Sequence, residues 1–136
     1  DQNGQAVSNA ELIIYKLTGT RSPGSSITFP QGSKVYVRGR LNKYSGPSTR
    51  YAVNADTNEI NIPFQTVQLN ATDQNGQAVS DAELIIYKLT GTRSPGSSIT
   101  FPQGSKVYVR GRLNGSTGPS NPYTIKSGTN EIVVVI

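Results

Sequence analysis

The sequence predicts an all-β protein made of two tandem, small antiparallel β-sandwich domains. Three observations carry this. Residues 1–42 return almost letter for letter at 73–114, the one change being Asn9 to Asp81. Apolar residues alternate with polar ones at a period of two, the pattern of half-buried strands. Asn-Gly and Pro-x-Gly turn formers break these runs at short intervals, as they do between the strands of a sandwich.

The repeat sets the organisation. The copies are offset by 72 positions, and beyond Asn42 and Asn114 they diverge, keeping Gly46/Gly118, Pro47/Pro119, Ser48/Ser120, Tyr51/Tyr123 and the run TNEI at 57–60 and 129–132. The chain divides into a first repeat at 1–64, a connector at 65–72 and a second repeat at 73–136. This period exceeds the roughly 20–50 residues of solenoid repeats and suffices for one small core, so successive beads are expected rather than a continuous stack.

Each element follows from its pattern. In the connector QTVQLNAT, Val67, Leu69 and Ala71 share one face, which makes it the first strand of the second repeat. Asn3-Gly4 and Asn75-Gly76 mark turns. ELIIYKL (11–17) is the one run that also reads as a helix turn or two, but its seven residues between such a turn and TGTRSPGSS favour a strand. SITFP (26–30) sets Ile27 beside Phe29, and Pro30-Gln31-Gly32-Ser33 turns the chain into KVYVRGRL (34–41), where Val35, Val37 and Leu41 alternate with Lys34, Tyr36, Arg38 and Arg40. RYAVNA (50–55) and EINIPF (59–64), the latter matched by EIVVVI, complete six or seven strands per repeat, counting the connector. The expected core is Val7, Leu12, Ile14, Ile27, Phe29, Val35, Val37, Tyr51, Val53, Ile60 and Ile62, with their counterparts in the second copy. The first repeat has no strand corresponding to the connector ahead of Asp1, so an open edge is expected there.

The run D-x-N-G-x-x-V-x-x-A-x-L, carried by Asp1, Asn3, Gly4, Val7, Ala10 and Leu12 and again by Asp73, Asn75, Gly76, Val79, Ala82 and Leu84, resembles immunoglobulin-like and prealbumin-like surface modules. Bacterial immunoglobulin-like repeats, carboxypeptidase regulatory-like domains and B-type adhesin repeats open this way. The likeness covers about a third of each repeat. It implies a sandwich fold and a surface role. The Lys–Asn isopeptide bond of many B-type repeats is not expected here, because TVQLNAT has no Lys and Asn61 is replaced by Val133.

Composition bears on chemistry. The chain has no Cys and no His, which removes the thiolate nucleophile and metal ligand and the commonest general base. Of the acidic residues only Asp1/Asp73, Glu11/Glu83 and Glu59/Glu131 recur, and none forms a close pair in sequence. No enzyme activity, cofactor or metal site is expected. DQNGQ offers too few oxygen ligands for a calcium loop and reads as a turn. No run approaches the ~18 apolar residues of a membrane span. The absence of Cys and Met suits an extracellular or cell-surface location.

One constellation points to a ligand. Lys34, Tyr36, Arg38 and Arg40 project from one face of a strand, and Lys106, Tyr108, Arg110 and Arg112 repeat them in a chain of net charge +5. Such a stripe is a candidate site for an anionic polymer such as acidic glycan, with nucleic acid a weaker fit; the competing reading is a solvated sheet face with Glu11 or Glu59 paired across strands. Asn70-Ala71-Thr72 and Asn114-Gly115-Ser116 are N-glycosylation sequons. The expected function is a structural repeat segment of a surface stalk, fibre, filament or lattice protein. Its expected partners are neighbouring repeats or subunits of the same protein, joined by strand addition at the open edge. A tandem binding module for an anionic polymer is the alternative.

Overall fold

Four strands come from the first repeat of the computed structural model, which describes all 136 residues: β1 (Glu11–Ile14), β2 (Lys34–Leu41), β3 (Tyr44–Ser45) and β4 (Thr49–Ala52). Seven more follow: β5 (Phe64–Thr72), β6 (Glu83–Ile86), β7 (Ser98–Pro102), β8 (Lys106–Leu113), β9 (Ser116–Thr117), β10 (Asn121–Thr124) and β11 (Glu131–Val135). There is no helix, and the fold is all-β.

The period-two pattern decides which side chains enter the core. In β2, Val35, Val37 and Leu41 are buried while Lys34, Tyr36, Arg38 and Arg40 face solvent. In β5, Val67, Leu69 and Ala71 are buried, as the connector's alternation requires. The turn from β2 to β3 places both Asn42 and Lys43 at positive φ, and the turn from β8 to β9 does the same with Asn114 and Gly115. Two consecutive left-handed residues match the right-handed twist of the flanking strands.

Both repeats build the same first sheet. β2 is flanked by β1 on one side and by β3 and β4 on the other, all antiparallel, and β8 stands likewise between β6 and the pair β9 and β10. The second repeat adds a facing sheet in the order β11-β5-β7. The core lies between the two sheets and contains Val67, Leu69, Leu84, Ile86, Phe101, Val107, Val109, Ile125, Ile132 and Val134.

Two features depart from the expected picture. The facing sheet is mixed, because β11 runs parallel to β5 with Ile132 opposite Leu69 and Val134 opposite Ala71, while β7 is antiparallel to β5. A parallel pair needs a crossover connection, and the strands of the first sheet supply it. The first repeat, in turn, has no facing sheet. SITFP and EINIP, which match β7 and β11, form no strand there. Ile27 is 42% exposed where Ile99 is 9%, and Leu12, Ile14, Phe29, Val53, Ile60 and Ile62 are only partly buried, whereas each counterpart is buried. The sequences are the same or nearly so. The difference is that β5 lies between the two segments in the second repeat, and no strand lies between them in the first.

Candidate binding face and the junction between the repeats

The solvent-facing side of β2 carries Lys34, Tyr36, Arg38 and Arg40, and that of β8 carries Lys106, Tyr108, Arg110 and Arg112, all exposed. Strand pairing adds a further cation, Arg50, to the first row only. Arg38 lies opposite Ile13, and Tyr36 opposite Arg50; in the second copy Arg110 lies opposite Ile85, and Tyr108 opposite Pro122. Tyr15 meets Tyr36 edge-on at 6.2 Å between ring centroids, and Tyr87 meets Tyr108 at 6.3 Å. Each face therefore presents two exposed tyrosine rings beside a basic row. Tyr15 and Tyr87 are missing from the sequence-predicted stripe because the turns at Tyr15-Lys16 and Tyr87-Lys88 break the alternation; Lys16 and Lys88 both have positive φ.

The cations of the stripe are not equivalent. Glu11 lies opposite Arg40 and approaches it at 3.8 Å; Glu83 lies opposite Arg112 at 3.6 Å. These cross-strand pairs are half exposed, so each contributes at most about 1 kcal/mol. Lys34, Arg38, Lys106 and Arg110 form no such pair. Glu59 instead accepts a hydrogen bond from the Asn61 amide.

The two sequon asparagines differ. Asn70 points outward from β5, and its amide donates to Glu131. Asn114 is exposed in the β8–β9 turn. The DQNGQ loops are turns closed on themselves: the Asp73 carboxylate accepts from the backbone N–H groups of Asn75 and Gln77, as that of Asp1 does from Asn3 and Gln5.

The junction between repeats holds a set of specific side-chain contacts. Tyr44, at the start of β3, leaves the first repeat and joins the core of the second. Its ring meets Phe101 edge-on at 5.4 Å, its hydroxyl donates to the Tyr87 carbonyl at 2.6 Å, and the Lys88 ammonium lies over it at 5.4 Å from the centroid. Burial raises the Tyr44 phenol above its ordinary pKa. Beside it the backbones meet closely, since a Cβ on Gly46 would stand 2.8 Å from the Gln103 carbonyl oxygen. The Asn42 amide donates to the Thr100 carbonyl at 2.8 Å.

On the other side of the junction, Gln2 acts as a backbone mimic. Its amide nitrogen donates to the Thr66 carbonyl at 2.6 Å and its oxygen accepts from the Thr66 N–H at 2.8 Å. The Thr66 hydroxyl lies 2.6 Å from the Asp1 carboxylate and 2.7 Å from the Thr100 hydroxyl. Gln65, fully buried, donates to the Thr129 carbonyl and accepts from Gln103. Phe64 packs into the first repeat with Leu41 and Ala10, while the residues after it form the centre of the second repeat's facing sheet. In the sequence, Tyr44 lies where the copies diverge; its counterpart is Ser116, and that divergence is the only trace of its role.

No group of three or more His, Cys, Asp or Glu side chains comes together in a metal-binding arrangement, and no helix is long and apolar enough to cross a membrane. No protein-family model matches the chain, and neither a curated protein nor a solved structure shows significant similarity to it.

Proposed function

We propose that this chain is a structural segment of a repetitive surface protein, in which immunoglobulin-like or prealbumin-like repeats are joined into a semi-rigid stalk, fibre or lattice element. The observation that carries the proposal is the shared strand. Phe64 is buried against the first repeat and Gln65 is already buried in the second, so no residue is left as a flexible linker. Tyr44, Asn42 and Gln2 then fix the angle between repeats from different directions. A contact of this kind serves spacing and stiffness and needs no reaction chemistry. A cell-surface setting is supported by a Cys-free, Met-free chain rich in Ser, Thr, Asn and Gly and by the near-identity of the two copies. The test is small-angle scattering on the chain and on a Tyr44→Ala variant. An elongated particle with a narrow spread of inter-repeat angles, broadened by the substitution, is the expected result; a freely jointed pair in the unaltered chain overturns the rod.

The unpaired cations Lys34, Arg38, Lys106 and Arg110, set beside exposed tyrosine pairs on both copies, favour a second reading as a tandem site for an anionic polymer such as acidic glycan. Two weak sites on a stiff frame gain avidity toward a repeating polyanion when their spacing matches it. Retention on a heparin column at physiological salt that falls with Arg38→Gln and Arg110→Gln is the outcome this reading requires.

A further inference from the structure

We infer that the first repeat is an acceptor for one β-strand of β5's chemistry, which fits between residues 26–30 and 59–63 when it is joined ahead of Asp1. The inference rests on the tandem-repeat reading above and adds what each repeat needs from its neighbour.

The second repeat shows the acceptor with its strand in place. Its residues 73–114 differ from residues 1–42 at one position, and β5 runs through the middle of its facing sheet. Leu69 donates to the Ser97 carbonyl and accepts from the Gly96 N–H, while β11 lies along the other side of β5. In the first repeat the counterparts, the Gly24 N–H and the Ser25 carbonyl, have no backbone partner. Ile27, Phe29, Ile60 and Ile62 are more exposed than their counterparts Ile99, Phe101, Ile132 and Val134. The strand that fits has apolar residues at alternate positions facing the first sheet, as Val67, Leu69 and Ala71 do, and enters antiparallel to 26–30.

The entry point is already formed. Asp1–Gln5 adopts the same closed turn as Asp73–Gln77, down to the carboxylate bonds to the third and fifth residues. Since β5 runs directly into Asp73, a strand ahead of Asp1 arrives in register. Pro63 does not obstruct it. Its counterpart Val135 lies between Val134 and Ile136, and the Ile136 N–H donates inward to the Thr72 carbonyl. Alternation turns the N–H of residue 135 outward, so a proline at 63 lacks only the donor on the free edge, the position that sheets tolerate.

A separate observation identifies the rest of the occupant. Tyr15, Lys16, Tyr36 and Phe29 reproduce Tyr87, Lys88, Tyr108 and Phe101, the groups that surround Tyr44. The first repeat thus carries the same tyrosine socket. The second repeat has Ser116 where the plug would be, so its far end does not fit that socket. The matching neighbour is a repeat of the first kind, with both strand and tyrosine hairpin, and not the far end of another copy of this chain.

The experiment joins the octapeptide of residues 65–72 ahead of Asp1 of the full chain and follows amide hydrogen exchange at Ile27, Phe29, Ile60 and Ile62. Ile99 and Phe101 serve as a folded reference in every variant. The expected result is slowing of exchange at the four amides by about 100-fold or more. The same octapeptide with aspartate in place of its valine, leucine and alanine is expected to leave exchange unchanged. Equal protection by both peptides, or by neither, overturns the inference. Protection of the unextended chain together with concentration-dependent linear oligomers also overturns it, because the strand then comes from a second copy.

Discussion

Tyr44 and Phe101 meet edge-on at 5.4 Å across the boundary between the two copies of the repeat. The contact makes the core of the second repeat depend on a residue of the first. Tyr44→Ala is expected to destabilise the second repeat by about 3–5 kcal/mol, the range for truncating a buried aromatic residue. Tyr44→Phe, which loses only the hydroxyl bond to the Tyr87 carbonyl, is expected to cost about 1 kcal/mol. Urea denaturation of the full chain measures both.

Alkaline pH tests the same contact by titration. The folded pKa of Tyr44 is raised by burial, so the folded state holds its phenolic proton more tightly than the unfolded state does. Its stabilising effect is fully present below the ordinary tyrosine pKa of about 10 and is lost as pH rises from there through the raised folded value. Tyr123, also raised by burial, adds to this loss. Stability measured upward from pH 9 is expected to fall less steeply in Tyr44→Phe than in the unaltered chain.

Two isoleucines in identical local sequence make an internal control. Ile99→Ala is expected to cost about 2–4 kcal/mol, because the residue is buried between two sheets. Ile27→Ala is expected to cost roughly 0.5 kcal/mol or less, because Ile27 faces no second sheet and is 42% exposed. Similar losses at the two positions, read from denaturation curves, would show that the first repeat closes a core of its own.

Gly39 tests the shared strand from the other side. A Cβ there would stand 2.6 Å from the tip of the Phe64 ring, and Phe64 is buried, so the ring has little room to yield. Gly39→Ala is expected to cost about 1–3 kcal/mol by overpacking. It is also expected to widen the spread of inter-repeat angles in scattering.

Much of the strand pattern was legible in the sequence, because burial on one face writes an alternation that side chains cannot hide. KVYVRGRL showed both its core face and its basic face, and TVQLNAT showed the strand that later proved central. The parallel sense of β11 was not legible, since pairing between residues more than sixty positions apart leaves no local signal. SITFP illustrates the converse limit. The same five residues form a strand at 98–102 and none at 26–30, so their local preference does not decide the outcome. The junction was hardest to read. A lone Tyr in a Gly- and Pro-containing turn looks like an exposed loop residue until the neighbouring core receives it.

The position of β5, in the centre of its sheet yet ahead of every other strand of its repeat, has a consequence for biogenesis. A polypeptide that emerges N-terminus first, from a ribosome or a secretion channel, presents the central strand of a repeat before the strands that flank it. The second repeat therefore has all its strands once β11 appears. In the second repeat, closure of this kind leaves β5 without its sheet partners only until β7 and then β11 have emerged.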